Sequence, residues 1–202
     1  MKLFYCPGAC SMAPHIVLRE AGYTFGIEAV DLDKGVTATG EDYLAINPKG
    51  YVPALQLDDG EILTEVTVIL QYLADHRPAA GLAPAAGTME RYRLLEWLTF
   101  ISSEIHQTLG VLFNPALTPE WKENRLMRFG SRCDYLASVL VDRPYLTGET
   151  FTIADAYLFT VLGWTGLFNI DMIRWPALTQ YSAHIAGRPA VRAAMQAEGL
   201  IG

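Results

Sequence analysis

Only three of the 202 residues are cysteine. An odd number in a chain of this length makes no disulfide framework and suits a reducing compartment, so any cysteine chemistry is expected to be thiol chemistry. Charge is scarce too, at 18% of residues, and cations are the scarcer sign, with 15 Lys and Arg against 22 Asp and Glu and a net charge of −7. No stretch clusters basic residues, so a phosphate backbone would find no footprint and nucleic acid is not expected as a partner. Long apolar runs are missing. Ala156–Phe159 and Val161–Trp164 fall far short of the roughly 20 residues of a spanning helix. The opening Met1-Lys2-Leu3-Phe4-Tyr5 turns to Cys, Pro and Gly before a secretory apolar region can form. The expected setting is therefore the cytoplasm, away from membranes. Absence of a Gly-x-Ser-x-Gly elbow, a Walker loop, a dinucleotide fingerprint and a His-Glu-x-x-His pair removes the commonest hydrolase, nucleotide and zinc readings.

What is present is apolar material, 51% of the chain, enough for one or two buried cores. Leu3-Phe4-Tyr5 reads as a short strand ended by Pro7 and Gly8, and Ile16, Val17 and Leu18 among polar residues read as a helix closed by Gly22. Phe25–Val30 is strand-like, and Asp31–Lys49 is irregular. Pro53, lacking an N–H, suits a strand edge or entry. Ala54–Leu57 and Ile62-Leu63 flank Asp58-Asp59-Gly60, a hairpin signal. Val66, Ile69, Leu70 and Leu73 then recur at i, i+3, i+4 and i+7, the face of a helix. The segment up to His76 thus predicts β-α-β-β-β-α.

Arg77–Gly87, rich in Pro, Ala and Gly, reads as a linker, and everything beyond it as helical. Leu94, Leu98, Ile101, Ile105 and Leu109 form an apolar stripe, with Thr99, Ser103 and His106 in a polar stripe displaced around the same helix. Thr152-Ile153-Ala154-Asp155 fits a capping box opening a helix at Ile153. Gly187 suits a helix end, and Pro189 the first turn of the next helix. The predicted division is residues 1–78 and residues 87–202.

Cys10 follows a Pro-Gly turn at the predicted start of the first helix, where unpaired amides and the helix dipole favour a thiolate; the same position also suits a small buried apolar side chain. Cys6, four residues earlier, misses the Cys-x-x-Cys spacing and reads as structural, and Cys133 reads as core. Cys6, Cys10 and His15 lack the second Cys/His pair that a zinc site needs, so no metal is expected. Thr64-Glu65 opens a helix directly after a strand, so the amides of Val66 and Thr67 could receive a carboxylate while Glu65 accepts an ammonium; an ordinary helix cap is the alternative. His106 could act beside Ser103 and Thr99 or serve packing alone.

Taken together, Phe4-Tyr5-Cys6-Pro7-Gly8-Ala9-Cys10-Ser11, Asn47-Pro48-Lys49-Gly50-Tyr51-Val52-Pro53-Ala54-Leu55, Leu63-Thr64-Glu65, Ser103-Glu104-Ile105-His106 and Phe151-Thr152-Ile153-Ala154-Asp155 closely resemble the bacterial cysteine-containing, or beta-class, glutathione S-transferases. The resemblance runs from end to end, and some features are similar to members associated with degradation of aromatic and chlorinated compounds. It implies a thioredoxin-like N-terminal domain, an all-helical C-terminal domain, a homodimer, and glutathione as cosubstrate along the domain junction. Residue by residue, it implies that Cys10 faces the glutathione sulfur and that Val52, before a cis Pro53, pairs its backbone with the cysteinyl backbone. Glu65 and the amide of Val66 would hold the γ-glutamyl end, and Ser103 and His106 would approach from the second domain. Lys34, one position ahead of the family's usual Lys, is carried over as a further glutathione contact.

Two other departures bear on affinity. Position 66 is Val where the family usually has Ser or Gly, and Gln107 follows His106 where many members have Lys; fewer cations near an anionic tripeptide should matter more in an acidic protein. The reading is a glutathione S-transferase that conjugates or reduces apolar electrophiles, with Cys10 and His106 as catalytic residues. A thiol-disulfide oxidoreductase or reductive dehalogenase using Cys10 as nucleophile is one alternative, and a non-catalytic carrier of apolar ligands another.

Overall fold

The structure is a computed structural model describing all residues from 1 to 202. The chain packs as two compact units, residues 1–83 with 188–202, and residues 84–187.

In the first unit, β1 (Lys2–Tyr5), α1 (Met12–Glu20) and β2 (Gly26–Asp31) form a parallel crossover. Pro14 sits in the first turn of α1, where a missing N–H costs no intrahelical bond. Gly22, at φ 68°, closes the helix with Tyr23 N–H donating to the Leu18 carbonyl. There follow β3 (Val36–Thr37), α2 (Tyr43–Ile46), β4 (Ala54–Gln56), β5 (Ile62–Thr64) and α3 (Val66–His76). The sheet order is β3-β2-β1-β4-β5. The β4–β5 hairpin turns where Asp58-Asp59-Gly60 predicted, with Gly60 at φ 92° and its N–H on the Leu57 carbonyl. The predicted β-α-β-β-β-α order is present. It omitted β3 and α2, which are two and four residues long and so too short to show a period; Asp42, whose side chain accepts from Leu44 N–H at 3.0 Å, fixes the start of α2 instead.

Register decides where the chemistry gathers. Tyr5 lies opposite Ala29, Phe4 opposite Ala54, and Ala54 opposite Thr64. The residues that follow β1, precede β4 and follow β5 therefore emerge at one edge of the sheet.

The second unit is helical. α4 (Met89–Phe100) runs without a break through a π-helical turn, Ile101–His106, into α5 (Gln107–Gly110). The stripe of Leu94, Leu98, Ile101, Ile105 and Leu109 is buried as predicted. α6 (Pro119–Leu140), α7 (Ile153–Leu162) and α8 (Pro176–Ala186) complete the bundle. α7 is buried on nearly every face, the signature of a central helix. The Asp155 carboxylate accepts four hydrogen bonds, from Thr152 N–H and Leu146 N–H, the Thr152 hydroxyl and the Tyr181 hydroxyl, at 2.8 to 3.0 Å.

The chain then returns to the first unit. α9 (Pro189–Ala197) packs on α1, so the division differs from the predicted 87–202 domain in giving up its last 15 residues, 188–202. The physical reason is a set of polar ties that helical periodicity cannot reveal. Arg188 forks onto Glu20 at 2.6 and 2.9 Å, and buried Glu198 accepts from Gly8 N–H at 3.0 Å and pairs with His15 Nδ1 at 2.8 Å. No helix is long and apolar enough to cross a membrane.

Candidate functional site

The segment after β1 folds tightly. Ala9 N–H donates to the Cys6 carbonyl, Gly8 takes φ 71°, and the Ser11 hydroxyl bridges both main-chain groups of Cys6 at 3.2 Å. This turn presents Cys10 just ahead of α1. Its thiol donates to the Val52 carbonyl at 3.2 Å, directly before the cis Val52–Pro53 bond that the resemblance implied. The stretch bearing Val52 is held from below, because the Tyr43 hydroxyl and the Asn47 amide both donate to the Tyr51 carbonyl, at 2.8 and 2.7 Å. Val52 N–H has no partner within the protein.

The expected lowered pKa at Cys10 is not found. Burial pushes the thiol up to about 12; the N–H groups of Cys10 and Ser11 pull the other way, and the nearby Cys6 and Glu65 add to the rise. The helix start supplies the amides that the sequence suggested, but desolvation outweighs them. Burial also raises Cys6, with Glu198, Asp31 and Asp33 adding to it, and Cys133, fully buried on α6, is pushed up to about 12.

Glu65 opens α3 at the same sheet edge with φ 72°, a left-handed conformation rare for a side chain of its size. The carboxylate is already engaged: Lys49 Nζ reaches Glu65 Oε1 at 2.6 Å and the Thr64 hydroxyl at 3.0 Å. Lys49 and Tyr43 were not singled out from sequence. Lys49 lies inside the Asn47–Leu55 motif, so its position was visible, but its partner is set by the β4–β5 register. Val66 buries its side chain in the core while its N–H lies in the first turn of α3. Lys34 sits in the turn after β2, on the other side of β1, where Asp31 holds its ammonium at 2.6 Å. The structure thus brings Cys10, Val52, Pro53, Glu65 and Val66 to one edge and leaves Lys34 paired elsewhere along it.

In the helical unit, the π turn carries Ser103 and His106. The Ser103 hydroxyl donates back to the Thr99 carbonyl at 2.9 Å. His106 Nδ1 meets the Tyr157 hydroxyl at 2.5 Å, and its ring stands edge-on to Tyr157 and Trp164. Burial lowers the His106 pKa, so the imidazole is neutral at pH 7. Phe113, half exposed, extends this aromatic array by edge contacts with Trp164 and Phe168. Glu104 anchors the turn to α6 by accepting from Arg128 at 2.9 Å and Arg132 at 2.7 Å.

Two family models match the chain, glutathione S-transferase N-terminal domain over residues 7–76 and glutathione S-transferase C-terminal domain over residues 119–197. Glutathione S-transferase GstA of Escherichia coli O157:H7 is 44% identical over 200 residues, covering 99% of this chain and 100% of that one. A bacterial beta-class glutathione S-transferase of Sphingomonas chungbukensis shares 48% identity at a TM-score of 0.96, covering both chains fully. A sphingomonad glutathione S-transferase solved with glutathione shares 50% identity at a TM-score of 0.95, again over the whole of both chains.

Proposed function

The chain belongs to the glutathione S-transferase family, and from that premise we propose that it binds glutathione along the sheet edge that carries Cys10, Val52 and Glu65. It is an enzyme with glutathione as cosubstrate. The observation that carries the site reading is the Cys10 thiol donating to the carbonyl of Val52 beside a partnerless Val52 N–H. A peptide backbone laid against Val52 completes its hydrogen bonding and brings the cysteinyl sulfur of that peptide to Cys10.

Cys10, kept protonated by burial, then acts first as a donor to the glutathione sulfur, stabilising the thiolate that attacks the electrophile. Glu65 receives the γ-glutamyl ammonium, exchanging it for Lys49, and the N–H of Val66 receives the carboxylate. Lys34 takes part only after leaving Asp31. Within the helical unit, the apolar electrophile is assigned to the aromatic array of Phe113, Trp164 and Phe168. Neutral His106, whose Nε2 makes no hydrogen bond within the protein, serves the departing group, with Ser103 a turn away. Exposed Tyr51, Met89 and Tyr92 support assembly as a homodimer, and three free cysteines suit the cytoplasm.

Calorimetric titration of glutathione, followed by aryl-halide conjugation on the same sample, tests the reading. Glu65→Ala is expected to weaken glutathione binding by roughly tenfold or more, the scale of a lost charge-assisted hydrogen bond. His106→Ala is expected to leave the dissociation constant in place and lower kcat. Equal dissociation constants for the parent and Glu65→Ala would put the ligand elsewhere.

A further inference from the structure

The loop between β1 and α1 carries two thiols, and the reaction described above uses one. Cys6 is half-buried and packs against the cluster of Phe4, Val30, Tyr43, Val52 and Ala54. The Cys10 sulfur lies 3.2 Å from the carbonyl of that same Val52, and its ionisation would push up the pKa of that same Tyr43. The Ser11 hydroxyl, bonded to both main-chain groups of Cys6, folds the chain back so that the residue before Ser11 returns towards Cys6. Both thiols therefore border the cluster that contains Val52 and Tyr43. Cys133 stands apart from them, fully buried on α6 in the helical unit.

We propose that Cys6 is the resolving thiol of Cys10, attacking the mixed disulfide that Cys10 forms with glutathione and closing a Cys6–Cys10 disulfide. This rests on the reading that glutathione binds with its sulfur at Cys10. The oxidant is glutathione disulfide. In the first step the Cys10 thiolate attacks one sulfur of glutathione disulfide, a Cys10–glutathione S–S bond forms, the original S–S bond breaks, and one glutathione thiolate leaves. In the second, the Cys6 thiolate attacks the Cys10 sulfur, the Cys6–Cys10 bond forms, and the second glutathione leaves as thiolate. Two protein thiols are oxidised, one glutathione disulfide is reduced to two glutathione molecules, and the protons of Cys6 and Cys10 pass to the two leaving thiolates.

The pair gives the enzyme an exit from glutathionylation. A mixed disulfide at Cys10 would block the site with a whole tripeptide, whereas a Cys6–Cys10 disulfide expels it and is reopened by fresh glutathione. Burial raises both thiols, with Glu198, Asp31 and Asp33 acting on Cys6 and Glu65 on Cys10. The exchange is therefore slow beside conjugation and is best observed at mildly alkaline pH.

The test treats the full-length reduced protein with glutathione disulfide, quenches with acid, and reads intact mass and the tryptic peptide of residues 3–19, which contains both thiols. In the parent that peptide is expected to lose two hydrogens and resist alkylation, with only a small fraction carrying glutathione. Cys6→Ser and Cys6→Ala are each expected to accumulate one glutathionyl group on Cys10. A parent that accumulates the adduct to the same level as the variants, or that joins Cys10 to Cys133, overturns the resolving role while leaving the glutathione site intact. If neither variant takes up glutathione at Cys10, the site reading itself falls, and the resolving role with it.

Discussion

At the scale of single residues, the competition at Cys10 is between two effects acting on one sulfur. Amide donors at a helix start stabilise a thiolate, whereas removal from water destabilises it by more. The first effect is legible in Pro7-Gly8-Ala9-Cys10, because turn residues and a helix start can be read locally. The second is not, since the chain that shields Cys10 includes Val52, dozens of residues away. The same holds for Glu65, whose place at a helix opening is plain in the sequence but whose ion pair with Lys49 depends on register. Brief alkylation across a pH series measures the balance at the three cysteines. Cys6 is expected to label before Cys10, and Cys133 not at all while the protein is folded. The Cys10 rate should still be climbing well above the ordinary cysteine value of about 8.5. A rate that levels off below that value would show that the amides win. The sign of the linkage follows: a thiol whose folded pKa is raised contributes stability below its unfolded pKa, and that contribution is lost as pH rises through the alkaline range towards the folded value.

At the scale of elements, α7 shows how a short motif can be read correctly and still undervalued. Thr152 and Asp155 locate the helix start, and Asp155 does reach back to Thr152 N–H. The motif contains no hint that Leu146 N–H and the Tyr181 hydroxyl share the other carboxylate oxygen, because Tyr181 belongs to α8. A lost cap alone costs about 1 to 2 kcal/mol, but Asp155→Ala would strand several buried donors at about 1 to 3 kcal/mol each. Denaturant unfolding is expected to show a loss of at least 3 kcal/mol or so. Asp155→Asn is expected to recover little, since an amide NH2 would face a donor at either position. A loss confined to the cap value would mean that the Leu146 and Tyr181 contacts contribute nothing. The π turn of Ile101–His106 was equally hidden: its apolar stripe continues with helix-like spacing, and the wide turn shows in bonds such as that from Gln107 N–H back to the Ser102 carbonyl.

At the scale of the whole molecule, the order of the predicted elements matches the folded chain, but the allegiance of the last segment does not. Helical periodicity predicts α9 correctly as a helix and cannot say which core it joins. Buried Val191 and Ala194 join it to α1, together with the Arg188–Glu20 and Glu198–His15 contacts. Truncation after Gly187 would take Glu198 away from buried His15, at about 1 to 3 kcal/mol for the buried group, against a typical whole-protein stability of about 5 to 15 kcal/mol. Hydrogen exchange is expected to show residues 1–83 losing protection first, with 84–187 the slower to exchange. The opposite order would return the tail to the helical unit.

The same arrangement places synthesis and completion out of step. The strands and α1 leave the ribosome first, yet the helix that seals them is encoded more than a hundred residues later. At about 5 to 20 residues per second, the nascent sheet waits roughly 5 to 20 s with its α9-facing surface uncovered. Through that interval the loop that carries both thiols lacks its tie from Gly8 N–H to Glu198, so the redox state of the mature site is open to change before the enzyme is whole.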